Sequence, residues 1–121
     1  MNNKIILIED DPNHVEIIKI ILSEDGYEVL ESLPKLLHEN IEQEEPCLIL
    51  LDNWLNQYSG AKICKDLKES QYLQHIPIIL ISASINLPMI AMDSKANGYI
   101  EKPFNIDTLS WVVRNTLELS H

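Results

Sequence analysis

Short runs of aliphatic and β-branched residues alternate with longer segments whose apolar positions recur at helical spacing, five times along the chain. That alternation predicts a parallel sheet covered by helices on both faces. Lys4 to Ile8 is an almost wholly apolar run ending in acids, as expected of a central parallel strand buried on both sides. Asp11 stands before Pro12 as an N-cap, and Val15, Ile17, Ile18, Ile21 and Leu22 trace the apolar face of a helix that stops at Asp25-Gly26. Tyr27 to Glu31 predicts a second strand, and Pro34 to Ile41 a weaker helix with a solvated exit over Glu42 to Glu45. Cys47 to Leu51 predicts the third strand, ending at Asp52; a loop with Asn56 and Gly60 then leads into a helix through Ile63, Leu67 and Leu73. Pro77 to Ile81 is the fourth strand, ending at Ser82-Ala83-Ser84, and a short helix around Met89 to Ala96 is limited by Pro88 and Gly98. Tyr99 to Glu101 is the fifth strand, Lys102-Pro103 turns the chain, and Asn105 to Leu119 forms the last helix. Ile106, Leu109, Val113 and Leu117 describe its core stripe, which leaves Trp111 off that face.

The 121 residues fit a single domain spanning 1–121. With 45% hydrophobic and 23% charged residues the composition suits a packed globular core. No apolar run approaches the roughly 18 to 20 residues that cross a bilayer, and Met1 to Lys4 lacks the pattern of a signal peptide. These features predict a cytoplasmic protein with no membrane role. Nine basic against nineteen acidic residues give a formal charge of −10, which disfavours contact with phosphate backbones and argues against direct nucleic-acid binding. Cys47 and Cys64 lie in apolar surroundings and read as buried free thiols. The four histidines, His14, His38, His75 and His121, show no ligand spacing and receive no metal role.

Polar residues collect where the strands end. Glu9, Asp10 and Asp11 close the first strand, Asp52 the third, Ser82 the fourth and Lys102 the fifth. In open α/β sheets those carboxyl ends face a crevice where ligands bind. Each residue also has a plainer reading: acids suit a helix N-terminus, Asp52 suits a turn, Ser82 and Ser84 suit caps, and Lys102 suits a solvated position before a turn proline. Their conjunction on successive strand ends favours a site. Clustered carboxylates repel one another, and a hard divalent cation with oxygen ligands relieves that repulsion. Mg²⁺, which binds through one or two carboxylates together with phosphate oxygens, suits Asp10 and Asp52 better than Ca²⁺. An aspartate oxygen can attack phosphorus to form an acyl phosphate, with Lys102 and Ser82 stabilising the equatorial oxygens.

From Lys4 to Leu119 the sequence closely resembles the receiver domain of two-component response regulators. The resemblance rests on Ile6-Leu7-Ile8-Glu9-Asp10-Asp11-Pro12, Leu50-Leu51-Asp52 with Ser59-Gly60, Pro77 to Ala83, and Gly98-Tyr99-Ile100-Glu101-Lys102-Pro103-Phe104. It implies a flavodoxin-like, CheY-like doubly wound sheet of five parallel strands in the order 2-1-3-4-5, with five helices. It further implies that Asp52 is the phosphoacceptor and that Glu9 and Asp10 are the acid pair, Asp10 the closer metal ligand. The same resemblance implies that the Trp54 carbonyl completes the Mg²⁺ site, that Ser82 and Tyr99 form a switch pair, and that Lys102 precedes a cis bond to Pro103. The implied donor is a sensor histidine kinase or phosphotransfer protein. With no output domain in 121 residues, the signal is expected to pass to an effector protein or a second copy of the chain, with Trp111 a candidate contact.

Departures from the family pattern fall in two places. Asn56 replaces the usual proline four residues after the phosphoacceptor, and a shortened Ser82–Lys102 interval containing Pro88 predicts a truncated or shifted fourth helix. A bulky Trp54 two residues past Asp52 either restricts water at an acyl phosphate or packs on loop atoms. The rival readings are a phosphorylation-independent pseudo-receiver and an enzyme of similar architecture. Against the enzyme, Trp54 stands where a phosphatase needs a second aspartate, and no Ser/Thr/Gly-rich phosphate loop follows the first strand as a flavin protein requires.

Overall fold

A computed structural model describes residues 2–55 and 58–120, the side chains of 54 and 55 excepted. The elements follow one another as β1 (Lys4–Ile8), α1 (Pro12–Glu24), β2 (Glu28–Glu31), α2 (Leu37–Glu44), β3 (Leu48–Asp52), β4 (Trp54–Leu55), β5 (Tyr58–Ser59), α3 (Gly60–Glu69), β6 (Ile78–Ser82), α4 (Leu87–Ser94), β7 (Gly98–Glu101) and α5 (Ile106–Leu119). A 3₁₀ turn over Pro34–Leu36 leads into α2.

Five parallel strands form one sheet in the order β2-β1-β3-β6-β7. β1, β3 and β6 have neighbours on both edges, and their residues are buried on both faces, which explains the unbroken aliphatic runs. Alternation divides those runs between two cores. Ile6, Ile8, Ile49, Leu51, Ile78 and Leu80 pack with Leu37, Ile41, Cys64, Leu67, Leu87 and Ala91 beneath α2, α3 and α4. Ile5, Leu7, Leu48, Leu50, Ile79, Ile81 and Ile100 pack with Ile18, Ile21, Leu22, Leu109 and Val113 beneath α1 and α5. Among the described residues no helix is long and apolar enough to cross a membrane.

Three helices start at a side-chain cap, whereas α2 and α4 start without one. Asp11 accepts from the Asn13 amide at 2.9 Å and Pro12 opens α1; Ser59 and Asn105 cap α3 and α5 in the same manner. Gly26 ends the turn after α1 at φ +95°, where a side chain would be strained.

Several expectations shift. Pro34 starts the 3₁₀ turn, and α2 continues through Glu44, so the glutamate-rich exit is helical until Glu45 turns left-handed at φ 49°. Leu73 lies outside α3, which stops at the extended Ser70 C-cap, although its side chain still packs against the core. Pro88 falls inside the first turn of α4, where a missing amide costs nothing, so the helix starts at Leu87 and has 8 residues. Ile106 is the first residue of α5 and 62% exposed; Thr116 is buried in the stripe instead. Ile17 is exposed on α1, and Cys47 is only half-buried. The β4–β5 hairpin falls where the sequence shows a loop, and Asn56 lies outside the described residues.

Candidate functional site

At the carboxyl edge of the sheet, Glu9 just after β1, Asp52 at the end of β3 and Lys102 just after β7 meet at one point. Lys102 Nζ donates to Glu9 Oε1 at 2.9 Å and to Asp52 Oδ2 at 3.1 Å, so one ammonium bridges carboxylates 43 positions apart in the chain. The Glu9 side chain is 1% exposed and that of Asp52 6%, while Lys102 keeps 16%. Carboxylate oxygens of Glu9, Asp10 and Asp52 all lie within 4.8 Å of one another, with Asp10 exposed on the open side. The three acids and the lysine are thereby brought together as expected. Asp11 stands apart in role: its carboxylate is spent on the α1 cap, so the plainer reading holds for that member of the acidic triplet.

The electrostatics follow from crowding. Burial pushes the Glu9 carboxyl above its ordinary value, the neighbouring Asp52 pushes it further, and Lys102 and the Asp11 amide pull against them. For Lys102, burial alone would favour loss of the proton, but hydrogen bonds and charge from Glu9 and Asp52 prevail and raise its pKa. The ammonium is locked on as the internal counter-charge. Removing one partner of such a buried cluster leaves charge uncompensated, which is typically more costly than the intact arrangement is stabilising.

The remaining predicted residues flank this cluster. Ser82 ends β6 beside Asp52, is 1% exposed, and accepts through Oγ from the Ser84 amide at 3.0 Å. Its backbone oxygen receives the Lys102 amide at 2.9 Å, which ties the serine to the lysine through the main chain. Tyr99 pairs with Leu80 in β7, and strand alternation sets it on the same sheet face as Ser82, at 40% exposure. The Lys102–Pro103 bond is cis, as expected. Trp111 is 55% exposed on α5, off the buried stripe. Trp54 opens β4 two residues after Asp52, while its indole, on which the water-exclusion idea depends, lies outside the described residues.

Three residues that sequence reasoning left without a role support the site. Asn53, 3% exposed, receives the Ala61 amide on Oδ1 and the Gly60 amide on its backbone oxygen, anchoring α3 to the strand end that carries Asp52. Gly60 fits there because a Cβ would strike the Asp52 carbonyl oxygen and come within 2.8 Å of Asn53 Cα. His14, one turn into α1, brings Nδ1 to 3.5 Å from Glu9 Oε1 and 3.7 Å from Asp11 Oδ2. The i,i+3 spacing from Asp11 was the available signal for it.

A doubly wound five-stranded sheet with an acid cluster and a lysine at its carboxyl edge is the architecture of a phosphorelay receiver. The model of the response regulator receiver domain matches residues 5–114, and the chain belongs to that family. It is 30% identical to the polar-differentiation response regulator DivK of Brucella ovis, over 97% of this chain and 98% of that protein. The transcriptional regulatory protein KdpE of Staphylococcus aureus is 34% identical over 94% of this chain but 49% of its own length. The chain spans about half the length of several curated relatives it matches. Among solved structures, a putative response regulator from Chloroflexus aurantiacus shares the fold at a TM-score of 0.90 and 23% identity, covering 98% of this chain and 99% of that one.

Proposed function

We propose that Asp52 accepts a phosphoryl group from the phosphohistidine of a sensor histidine kinase or phosphotransfer protein, and that the chain works in the cytoplasm as a switch. The observation that carries this reading is the Lys102 ammonium held between Glu9 and Asp52 beside a third carboxylate. An Asp52 oxygen forms the new bond to phosphorus as the P–N bond of the donor breaks. The electron pair leaves with the imidazole nitrogen, which takes up a proton. Lys102 and the Ser82 hydroxyl face the equatorial oxygens as charge spreads over them.

Three carboxylates within 4.8 Å suit a hard cation, and Asp10, Asp52 and the Trp54 carbonyl would hold Mg²⁺, with Glu9 beside them. Bound there, Mg²⁺ supplies charge neutralisation for the incoming phosphoryl oxygens. The phosphoryl group adds about −1.5 to −2 charges. Lys102 and Ser82 move toward it, and the space Ser82 leaves admits the Tyr99 ring, a two-state packing change biased by charge.

The readout surface in this reading is the face of α4, β7 and α5, where Met89, Met92, Tyr99, Ile106 and Trp111 are all exposed. It fits an effector protein or a second copy of the chain, with Trp111 as the aromatic anchor. Addition of Mg²⁺ and beryllofluoride, a phosphoryl mimic, to isotopically labelled protein should shift amide resonances at 82–84, 99–102 and along α4. Shifts confined to residues 9–11 and 52–54 would contradict the switch and favour a site that binds without signalling.

A further inference from the structure

Among the described residues, His14 Nδ1 is the buried side-chain polar atom without a hydrogen-bond partner. Such an atom ordinarily costs stability, so its surroundings call for explanation. The two groups facing it are carboxylates, Glu9 Oε1 at 3.5 Å and Asp11 Oδ2 at 3.7 Å. Their demands differ. Asp11 is 45% exposed and water serves it, whereas the Glu9 side chain is 1% exposed and depends on protein partners. Glu9 Oε2 receives the Asp11 amide at 3.2 Å. Oε1 receives Lys102 Nζ at 2.9 Å, and this is the same oxygen that His14 faces.

We infer that His14 is a positioning residue that takes over Glu9 Oε1 when Lys102 turns toward a phosphoryl group on Asp52. The inference rests on the reading of Asp52 as phosphoacceptor. An ammonium drawn to new phosphoryl oxygens lengthens its bond to Glu9, leaving a buried carboxylate short of a donor in a crevice that has just gained negative charge. An approach of about half an ångström brings His14 Nδ1 within hydrogen-bond reach of that oxygen. The ring needs no change of protonation, because a neutral imidazole with its proton on Nδ1 is a donor. In the unphosphorylated protein Lys102 Nζ is the donor to that oxygen at 2.9 Å, while His14 Nδ1 stands 3.5 Å away without a hydrogen bond. His14 thus favours the phosphorylated state over the resting one without touching the phosphoryl group.

The test compares the parent with His14→Leu, which removes the donor, and His14→Asn, which keeps a short side-chain donor. Calorimetry measures the affinity for beryllofluoride in saturating Mg²⁺ and, separately, the affinity for Mg²⁺ alone. The leucine variant should bind beryllofluoride about tenfold more weakly, and the asparagine variant within about twofold of the parent. Mg²⁺ alone should bind all three within about twofold. Parent-like beryllofluoride binding by His14→Leu would overturn the inference and leave the role of Asp52 intact. An equal loss for Mg²⁺ alone, or an asparagine variant no better than leucine, would assign His14 a merely structural role. If the parent itself binds no beryllofluoride, or Asp52→Asn binds it equally well, the reading of Asp52 fails and this inference with it.

Discussion

The polar residues of the acidic edge are separated in role by one position each. Glu9 is buried and bonded to Lys102, Asp10 is exposed beside the cluster, and Asp11 caps α1. Their residue types predict a shared charge problem, but not which acid is taken by the helix, because that depends on the direction of the chain as it leaves β1. His14 was passed over for a similar reason: its i,i+3 spacing marks Asp11 as a neighbour, but Glu9 faces it only because of the way the chain turns from β1 into α1. The thiols are simpler. Cys64, fully buried, donates to the Ser94 carbonyl oxygen at 3.5 Å, and burial pushes its pKa up to about 11. Burial raises Cys47 as well. An aromatic disulfide reagent at pH 8 should leave Cys64 unreacted in the folded protein and modify both thiols in urea; prompt reaction of both in buffer would contradict the burial. The sign of the accompanying pH effect is set by a folded pKa raised above the ordinary 9.0. The stability from this thiol is complete below pH 9.0 and is lost as pH rises through about 11.

At the scale of elements, α3 is the part whose placement controls the acceptor strand. Its first residue, Gly60, lies against the Asp52 carbonyl oxygen, and the Gly60 and Ala61 amides both end on Asn53. Gly60→Ala must push the helix or the strand end away, at a cost of about 1–3 kcal/mol for overpacking. Chemical denaturation should show that loss together with slower phosphorylation by a small phosphodonor, since Asp52 shifts relative to Lys102. Unchanged stability and rate would mean that the contact is relieved elsewhere. The strands and the α1 cap were legible because their signals are local, aliphatic runs for β1, β3 and β6 and Asp11 before Pro12, whereas the caps Ser59 and Asn105 were not read from the sequence. The hairpin β4–β5 has only two residues in each strand, too few for a period to show. Ile106 misled because helical periodicity is blind to the end of the helix: as the first residue of α5 it is exposed, while Leu109 and Val113 are buried. Leu73 misled in the opposite way, packing on the core from a turn as a helical residue would.

For the whole molecule, the sheet order places the acid cluster and the exposed face of α4, β7 and α5 on connected but separate surfaces. β1, β3 and β6 are adjacent in the sheet, so acids and serine meet at one edge, and β7 at the border carries both Lys102 at its exit and Tyr99 within it. In the proposed reading, a charge event at Asp52 would reach α4, β7 and α5 through that one strand. With nineteen acidic against nine basic residues, the surface is better suited to a protein partner than to nucleic acid. All of this depends on Asp52 receiving the phosphoryl group beside a cation. Intact mass of the parent and of Asp52→Asn after incubation with acetyl phosphate, with and without Mg²⁺, tests it most directly. The account predicts one added phosphoryl group on the parent only when Mg²⁺ is present and none on the variant; equal labelling of both proteins, or a parent unlabelled with Mg²⁺ present, would contradict it.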